Sequence, residues 1–285
     1  MPVGPLGDAA DPNDPGPCAS SGIKDHYTCF KVARPQRGVL EVILDRPEAR
    51  NAMGVRFVRE MHQICDVLQF PHEEAIRVLI IRGAGPAFCS GFDFKDEGLS
   101  RADGPMLQSA FSGMIKKLRE LPQPVVCGLN GPAAGAGMSL ALAADLRVGT
   151  EKCSFVAAFV KLGLGGGELG TSFFLPKLIG RGRASEALLT GRPILAPEAA
   201  QWGLLNQLVP SGAELPEACL QQARRLLELS PKGLRLTKWL LNSPELSLSA
   251  ALEREDLAQV YMASDKECQE VGREYIQKFR KSSRL

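Results

Sequence analysis

Apolar positions along this chain change their period several times, and each change marks an element. Val39-Leu40-Glu41-Val42-Ile43-Leu44 reads as a strand ended by Pro47, because proline has no N–H to give a sheet ladder. Phe57, Met61, Ile64, Cys65 and Leu68 then recur at helical spacing. The continuous run Val78-Leu79-Ile80-Ile81 stops at Gly83, and its β-branched content predicts a buried strand parallel to its neighbours. Pro124-Val125-Val126-Cys127-Gly128-Leu129 predicts a third strand and Leu146-Arg147-Val148 a fourth. Such strand–helix alternation implies βαβ units. From Thr171 onward the pattern is mainly helical. Pro197 and Gly203 bracket a short helix, and Leu215, Ala218, Cys219, Ala223, Leu226 and Leu227 form one apolar stripe. Residues 231–242, 247–262 and 265–281 predict further helices. The expected class is α/β with a helical C-terminal region.

Residues 1–25 are rich in Pro, Gly, Asp and Ser, lack periodicity, and are expected to be disordered. An α/β core over 26–210 and a helical region over 211–285 complete the organisation. Hydrophobic residues make up 45% and charged residues 23% of the 285, ordinary for a soluble globular protein. The formal net charge of +2 argues against a dedicated nucleic-acid surface. The low-charge stretch from Pro122 to Asp145 is broken by glycine and proline, so it reads as buried strand then buried helix, not a membrane span. The N-terminus has neither a signal-peptide core nor an Arg-rich presequence pattern. Eight cysteines are scattered without a CxxC pair or a Cys/His cluster, and Cys65, Cys127 and Cys219 lie in apolar stretches. No disulfide framework or metal site is therefore expected, and a reducing compartment fits. The three histidines, His26, His62 and His72, lie in no motif, which leaves a Ser/His/Asp arrangement little to use.

Two glycine-bearing loops follow predicted strands. The first is Phe88-Cys89-Ser90-Gly91-Phe92-Asp93-Phe94-Lys95. The second, Asn130-Gly131-Pro132-Ala133-Ala134-Gly135-Ala136-Gly137, opens a small-residue helix running to Ala144. A helix start leaves amide N–H groups free and carries partial positive charge, which suits an oxyanion. Spacing alone fits close helix packing by Gly135 and Gly137 at least as well. A dinucleotide or P-loop reading is poorer, since no third glycine completes G-x-G-x-x-G and no G-K-[ST] occurs.

Taken together, these motifs resemble the enoyl-CoA hydratase/isomerase (crotonase) superfamily. Asp45-Arg46-Pro47-Glu48-Ala49-Arg50-Asn51-Ala52, the two loops, and Ala143-Ala144-Asp145 agree in order and spacing. So do Gly167-Glu168-Leu169-Gly170-Thr171, Leu175-Pro176-Lys177-Leu178-Ile179-Gly180, Leu189-Thr190-Gly191-Arg192 and Ala199-Ala200-Gln201-Trp202-Gly203. The match runs from about residue 30 to 281 and implies a crotonase-like ββα spiral core. It implies that the Phe92 and Ala136 amides form an oxyanion hole for an acyl-CoA thioester. It also implies that CoA lies near Arg46, Arg50, Ser90 and Lys95, with Tyr275 and Lys278 of the last helix as further contacts. The bland alternative for Tyr275 and Lys278 is a solvated terminal helix. No metal or prosthetic group is implied, since CoA arrives with the substrate. Family habit implies a homotrimer or hexamer assembled through the C-terminal helices.

At the positions of the family's two hydratase glutamates stand Ser139 and Phe159, and neither can act as a carboxylate acid or base. Glu168, in Gly165-Gly166-Gly167-Glu168-Leu169-Gly170, is similar in position to the catalytic aspartate of dienoyl-CoA isomerases. It is the candidate proton shuttle, either shifting a double bond or activating water alone; otherwise it caps amides around Thr171. Asp93 and Asp145 read as structural partners. Rival readings are a catalytically silent acyl-CoA-binding scaffold, an acyl-CoA hydrolase, or a nicotinamide dehydrogenase. The terminal Ser283-Arg284-Leu285 resembles the S-K-L class of peroxisomal address with Arg for Lys. If an import receptor reads it, the destination is a peroxisome-like organelle; otherwise the chain is cytosolic.

Overall fold

The computed structural model describes residues 22–24, 27–69, 76–96, 104–243 and 247–282. The expectation of disorder over residues 1–25 therefore lies outside the described residues, apart from 22–24. So does the Ser283–Leu285 tail.

A six-stranded sheet forms the centre. Its strands are β1 (Phe30–Gln36), β2 (Val39–Leu44), β3 (Val78–Gly83), β4 (Val125–Leu129), β6 (Leu146–Thr150) and β9 (Gln207–Val209), in that spatial order. β1 pairs antiparallel with β2, and every later pairing is parallel. The apolar runs make sense because the parallel strands are buried on both faces. Leu40, Leu79, Ile81, Val125 and Cys127 face a core shared with α1 (Val55–Gln69), α2 (Gly104–Glu120) and α3 (Ala136–Ala143). Their alternates Val39, Val78, Ile80, Val126 and Val148 face α7 (Leu215–Leu227), whose stripe of Leu215, Ala218, Cys219 and Ala223 covers that side.

A second sheet of three-residue strands, β5 (Pro132–Ala134), β7 (Ser154–Val156) and β8 (Pro193–Leu195), stands beside the first. Between its strands lie a 3₁₀ turn at Ala158–Leu162, α4 (Thr171–Ile179) and α5 (Arg181–Thr190). Then come α6 (Ala196–Gln201), α8 (Pro231–Leu241), α9 (Leu248–Ser264) and α10 (Lys266–Ser282). The helices expected at 231–242, 247–262 and 265–281 appear within two residues of those bounds. Neither β1, the three-residue strands nor α2 was expected. The strands are too short to show a period. The stripe of α2 (Leu107, Phe111, Met114, Ile115 and Leu118, all buried) has helical spacing that went unread.

Cys65, Cys127 and Cys219 are buried as expected, and burial pushes the Cys65 and Cys219 thiols up to about 12. They pack as small hydrophobes and carry no reactive thiolate.

Candidate active site

Asn51 is the knot from which the site is built. It is buried with φ at 56°, a left-handed conformation that asparagine tolerates better than most residues. Its side-chain amide donates to the carbonyls of Ala84, Ala87 and Phe88 at 2.9–3.0 Å, and its Oδ1 accepts the Arg46 N–H at 2.9 Å. The Cys89 thiol donates to the Asn51 carbonyl at 3.0 Å. The chain leaving β2 is thereby tied to the loop leaving β3.

That loop is then aimed by two short parallel bridges, Met53 with Phe92 and Cys89 with Ala133. Met53 N–H donates to the Gly91 carbonyl and Asp93 N–H to the Met53 carbonyl, at 2.8 and 2.9 Å. Residues flanking Phe92 make those bonds, so its own N–H points to the opposite side of the strand. On that side lies the second loop, where Ala134 N–H donates to the Cys89 carbonyl at 2.9 Å. Gly91, with φ at 95°, approaches so closely that a Cβ there would lie 2.8 Å from the Ala134 oxygen and 3.3 Å from the Ala136 nitrogen. Ala136 opens α3, and among the described residues neither its N–H nor that of Phe92 has an acceptor. Two amides without partners thus sit on adjoining backbone, one of them at the positive end of a buried helix. The Phe92 ring packs edge-on against Phe111 of α2, with centroids 4.7 Å apart.

Beyond α3 lies Glu168. Three donors pin its carbonyl: Thr171 N–H at 3.0 Å, Thr171 Oγ1 at 2.8 Å and Ser139 Oγ at 3.4 Å. The next residue, Leu169, takes a left-handed φ of 49°. It is Glu168's backbone that meets Thr171, while Gly170 stands at the N-cap of α4 with no side-chain cap. The carboxyl is therefore not a helix cap. Its Oε2 is enclosed and has no partner among the described residues. Burial raises its pKa, opposed by a hydrogen bond from Gln108 of α2. Ser139 and Phe159 are both fully buried, and the Phe159 ring lies across the gap left by the missing side chain of Gly135. The Phe159 ring and the two amides meet at the start of α3, and the Glu168 loop is hydrogen-bonded to the same helix through Ser139.

The four loop residues expected to meet CoA have different environments. Arg50, Ser90 and Lys95 are exposed, and Ser90 N–H donates to the Arg50 carbonyl at 3.0 Å. The Arg46 guanidinium is instead engaged with Asp93 at 3.0 Å and the Ala52 carbonyl at 3.1 Å. Asp93 and Asp145 are both structural partners: Asp145 binds Arg119 at 2.9 Å and Lys238 at 2.8 Å. Tyr275 and Lys278 fall on α10, but their side chains lie outside the described residues. Sequence reading missed Phe111, although the unread stripe of α2 would have located it. A cavity of about 630 Å³ opens between α2, α4 and α8, walled by Ile115, Leu142, Leu169, Phe173 and Phe174. It adjoins the Glu168 loop, yet Phe92, Ala136 and Glu168 do not line it.

Comparison with known proteins bears on this geometry. The enoyl-CoA hydratase/isomerase family model matches residues 34–282. A Mycobacterium bovis protein named "Probable enoyl-CoA hydratase echA12" is 34% identical over 261 residues, covering 87% of this chain and 90% of that one. The crystal structure of an enoyl-CoA hydratase from Bacillus anthracis superposes with a TM-score of 0.82 at 30% identity, covering 88% and 96%. A monofunctional enoyl-CoA isomerase from Mycobacterium smegmatis gives a TM-score of 0.67 at 35% identity, covering 79% and 98%.

Proposed function

This chain belongs to the enoyl-CoA hydratase/isomerase family, and from that premise we propose that it shifts a double bond in an enoyl-CoA thioester, using Glu168 to move the proton. The observations that carry this reading are the half-buried Glu168 carboxyl with one oxygen enclosed, on a loop hydrogen-bonded to α3 through Ser139, and the adjoining amides of Phe92 and Ala136 at the start of that helix. Both amides donate to the thioester oxygen and hold the negative charge that develops when a carbon acid is deprotonated. Glu168 takes the proton from one carbon, the electron pair moves into a dienolate, and the same proton returns at the other end of the conjugated system. Nothing is gained or lost overall, so one carboxyl suffices. A carboxyl whose pKa is raised by burial suits this task, being able to hold the proton between its two transfers.

Hydration is less well served. It needs water admitted and, in the two-glutamate scheme, a second acid, whereas Phe159 and Ser139 at those positions are fully buried and not acidic. The exposed Arg50, Ser90 and Lys95 form the face we assign to the phosphates of CoA, and Tyr275 and Lys278 to a secondary contact. On α9, Leu252, Leu257 and Val260 are exposed, and we assign them to contacts between copies in a homotrimer or hexamer. Ser283-Arg284-Leu285 is assigned as an organelle address.

The test is a screen of 2-enoyl-, 3-enoyl- and dienoyl-CoA esters in which isomerisation and hydration are measured separately. Glu168→Gln is expected to lower kcat for isomerisation by roughly 10²–10⁴ with KM little changed, the scale of a lost acid–base group. Unchanged turnover in that variant would remove the carboxyl from the chemistry. Binding of CoA esters with no turnover of any substrate would make the protein a silent scaffold.

A further inference from the structure

Glu168 sits on a strained turn. Leu169, the next residue, has φ at 49°, a left-handed conformation that is an outlier for a bulky side chain. Its side chain is nevertheless buried and lines the cavity between α2, α4 and α8. Such strain persists only where the surroundings over-determine it. Here the Glu168 carbonyl is held from two helices at once. It accepts from Thr171 N–H at 3.0 Å, from Thr171 Oγ1 at 2.8 Å and from Ser139 Oγ of α3 at 3.4 Å. Thr171 is fully buried, and its hydroxyl lies 3.3 Å from the Gly166 carbonyl as well. The Ser139 hydroxyl is also 3.4 Å from the carbonyl of Gly135, the residue before Ala136. The loop has no slack upstream, because a Cβ on Gly166 would lie 2.5 Å from the Leu188 carbonyl oxygen.

We propose that Thr171 is a positioning residue for proton transfer by Glu168. Its hydroxyl, backed by that of Ser139, locks the peptide plane between Glu168 and Leu169 and so fixes the direction in which the carboxyl leaves the backbone. The inference rests on Glu168 as the proton-transfer group. Without the hydroxyl, Leu169 can relax toward an ordinary φ, and the Glu168 Cα–Cβ bond turns with the peptide. Proton transfer tolerates little displacement, since donor and acceptor must stay within about 2.6–3.2 Å of each other. Thioester binding does not run through this peptide. The loop that carries Phe92 is aimed by the Met53 and Ala133 bridges, so a loosened Glu168 turn acts on turnover and spares affinity. The anchor consists of hydroxyls and an N–H, which do not titrate near neutral pH. It therefore holds whether or not Glu168 carries the proton.

The experiment measures kcat and KM for enoyl-CoA isomerisation in Thr171→Val, Thr171→Ala and Thr171→Ser, with rates expressed per folded molecule as judged by thermal melts. Thr171→Val keeps the volume and removes the hydroxyl. Thr171→Ala does so without setting a methyl against the carbonyl oxygen, so either variant serves if the other does not fold. Each should lower kcat roughly tenfold at unchanged KM, the scale of one lost hydrogen bond. Thr171→Ser keeps the hydroxyl and should hold kcat within about twofold of the parent. A merely structural role would lower the melting temperature without separating the serine variant from the other two in kcat. Repeated in a Glu168→Gln background, the same substitutions should add no further loss, because the carboxyl they act through is gone. Parental kcat in the folded valine and alanine variants, or a serine variant as slow as they are, overturns the proposal. Full turnover in Glu168→Gln alone is a different result: it removes the catalytic reading on which the proposal rests.

Discussion

Glu168 is carried in the fold with its carboxyl raised above 4.5, chiefly by burial, while the Gln108 amide pulls the other way. The native state therefore keeps this proton to higher pH than the unfolded chain does. Folding loses stability as pH rises from the ordinary carboxylate range through the raised folded value, and the loss is complete above it. Removing the charge removes the loss. Glu168→Gln is expected to melt at higher temperature than the parent at mildly alkaline pH, with the gap closing as pH falls below about 4.5. Calorimetry across that range checks both sign and window. A variant that gains stability while losing turnover is what a group retained for chemistry should give. Arg46 makes the opposite point. Its motif marks it for a ligand, yet its guanidinium is occupied by Asp93 and the Ala52 carbonyl, so it shapes the loop that Arg50, Ser90 and Lys95 decorate.

At the scale of the element, α3 connects the site to the rest of the structure. All eight of its residues are buried, and cations meet its carbonyl end. Arg119 donates to Ala143 and Ala144 at 3.3 and 3.4 Å, and Arg147 to Ala144 at 2.6 Å. Positive charge there complements the helix dipole whose other end presents Ala136. The close approach that sets Ala136 beside Phe92 depends on Gly137. A Cβ there would lie 2.3 Å from the Cys89 carbonyl oxygen and 2.8 Å from its carbon, both backbone atoms that cannot swing aside. Gly137→Ala should therefore cost about 1–3 kcal/mol of stability, measured by urea unfolding. It should also lower kcat, because relief comes only by moving α3 away from the loop.

Across the whole molecule, one buried polar cluster joins the C-terminal helices to the sheet. Lys238 of α8 is 6% exposed and places its ammonium 2.8 Å from both Asp145 and the Gln123 carbonyl. Burial lowers its pKa, and Asp145 opposes that shift. Asp145 also binds Arg119 and accepts the Val125 N–H at 2.8 Å, so α2, β4 and α8 meet on one carboxylate. Removing it leaves the buried Lys238 without its counter-charge. Asp145→Ala is expected to cost about 3–5 kcal/mol and to speed amide hydrogen exchange along residues 231–241. Exchange unchanged in that segment would show that apolar packing alone holds α8.

The inner strands of the central sheet, β2, β3, β4 and β6, were legible from the sequence because they are largely buried on both faces, which forces continuous apolar runs that no exposed element would carry. The helices of the second half were legible for a related reason, since a one-sided stripe needs a partner surface and nothing else. The loop motifs, read in order, identified the family and pointed to Phe92, Ala136 and Glu168. Tertiary structure alone decided the environment of the Glu168 carboxyl. Its raised pKa comes from burial by the fold, and a proton affinity set by desolvation has no local signature. The three-residue strands β5, β7 and β8 were likewise invisible, being held by partners distant in sequence and too short to show a period. Local sequence fixes which groups are present, but only chain packing fixes which are dry and which partners they meet.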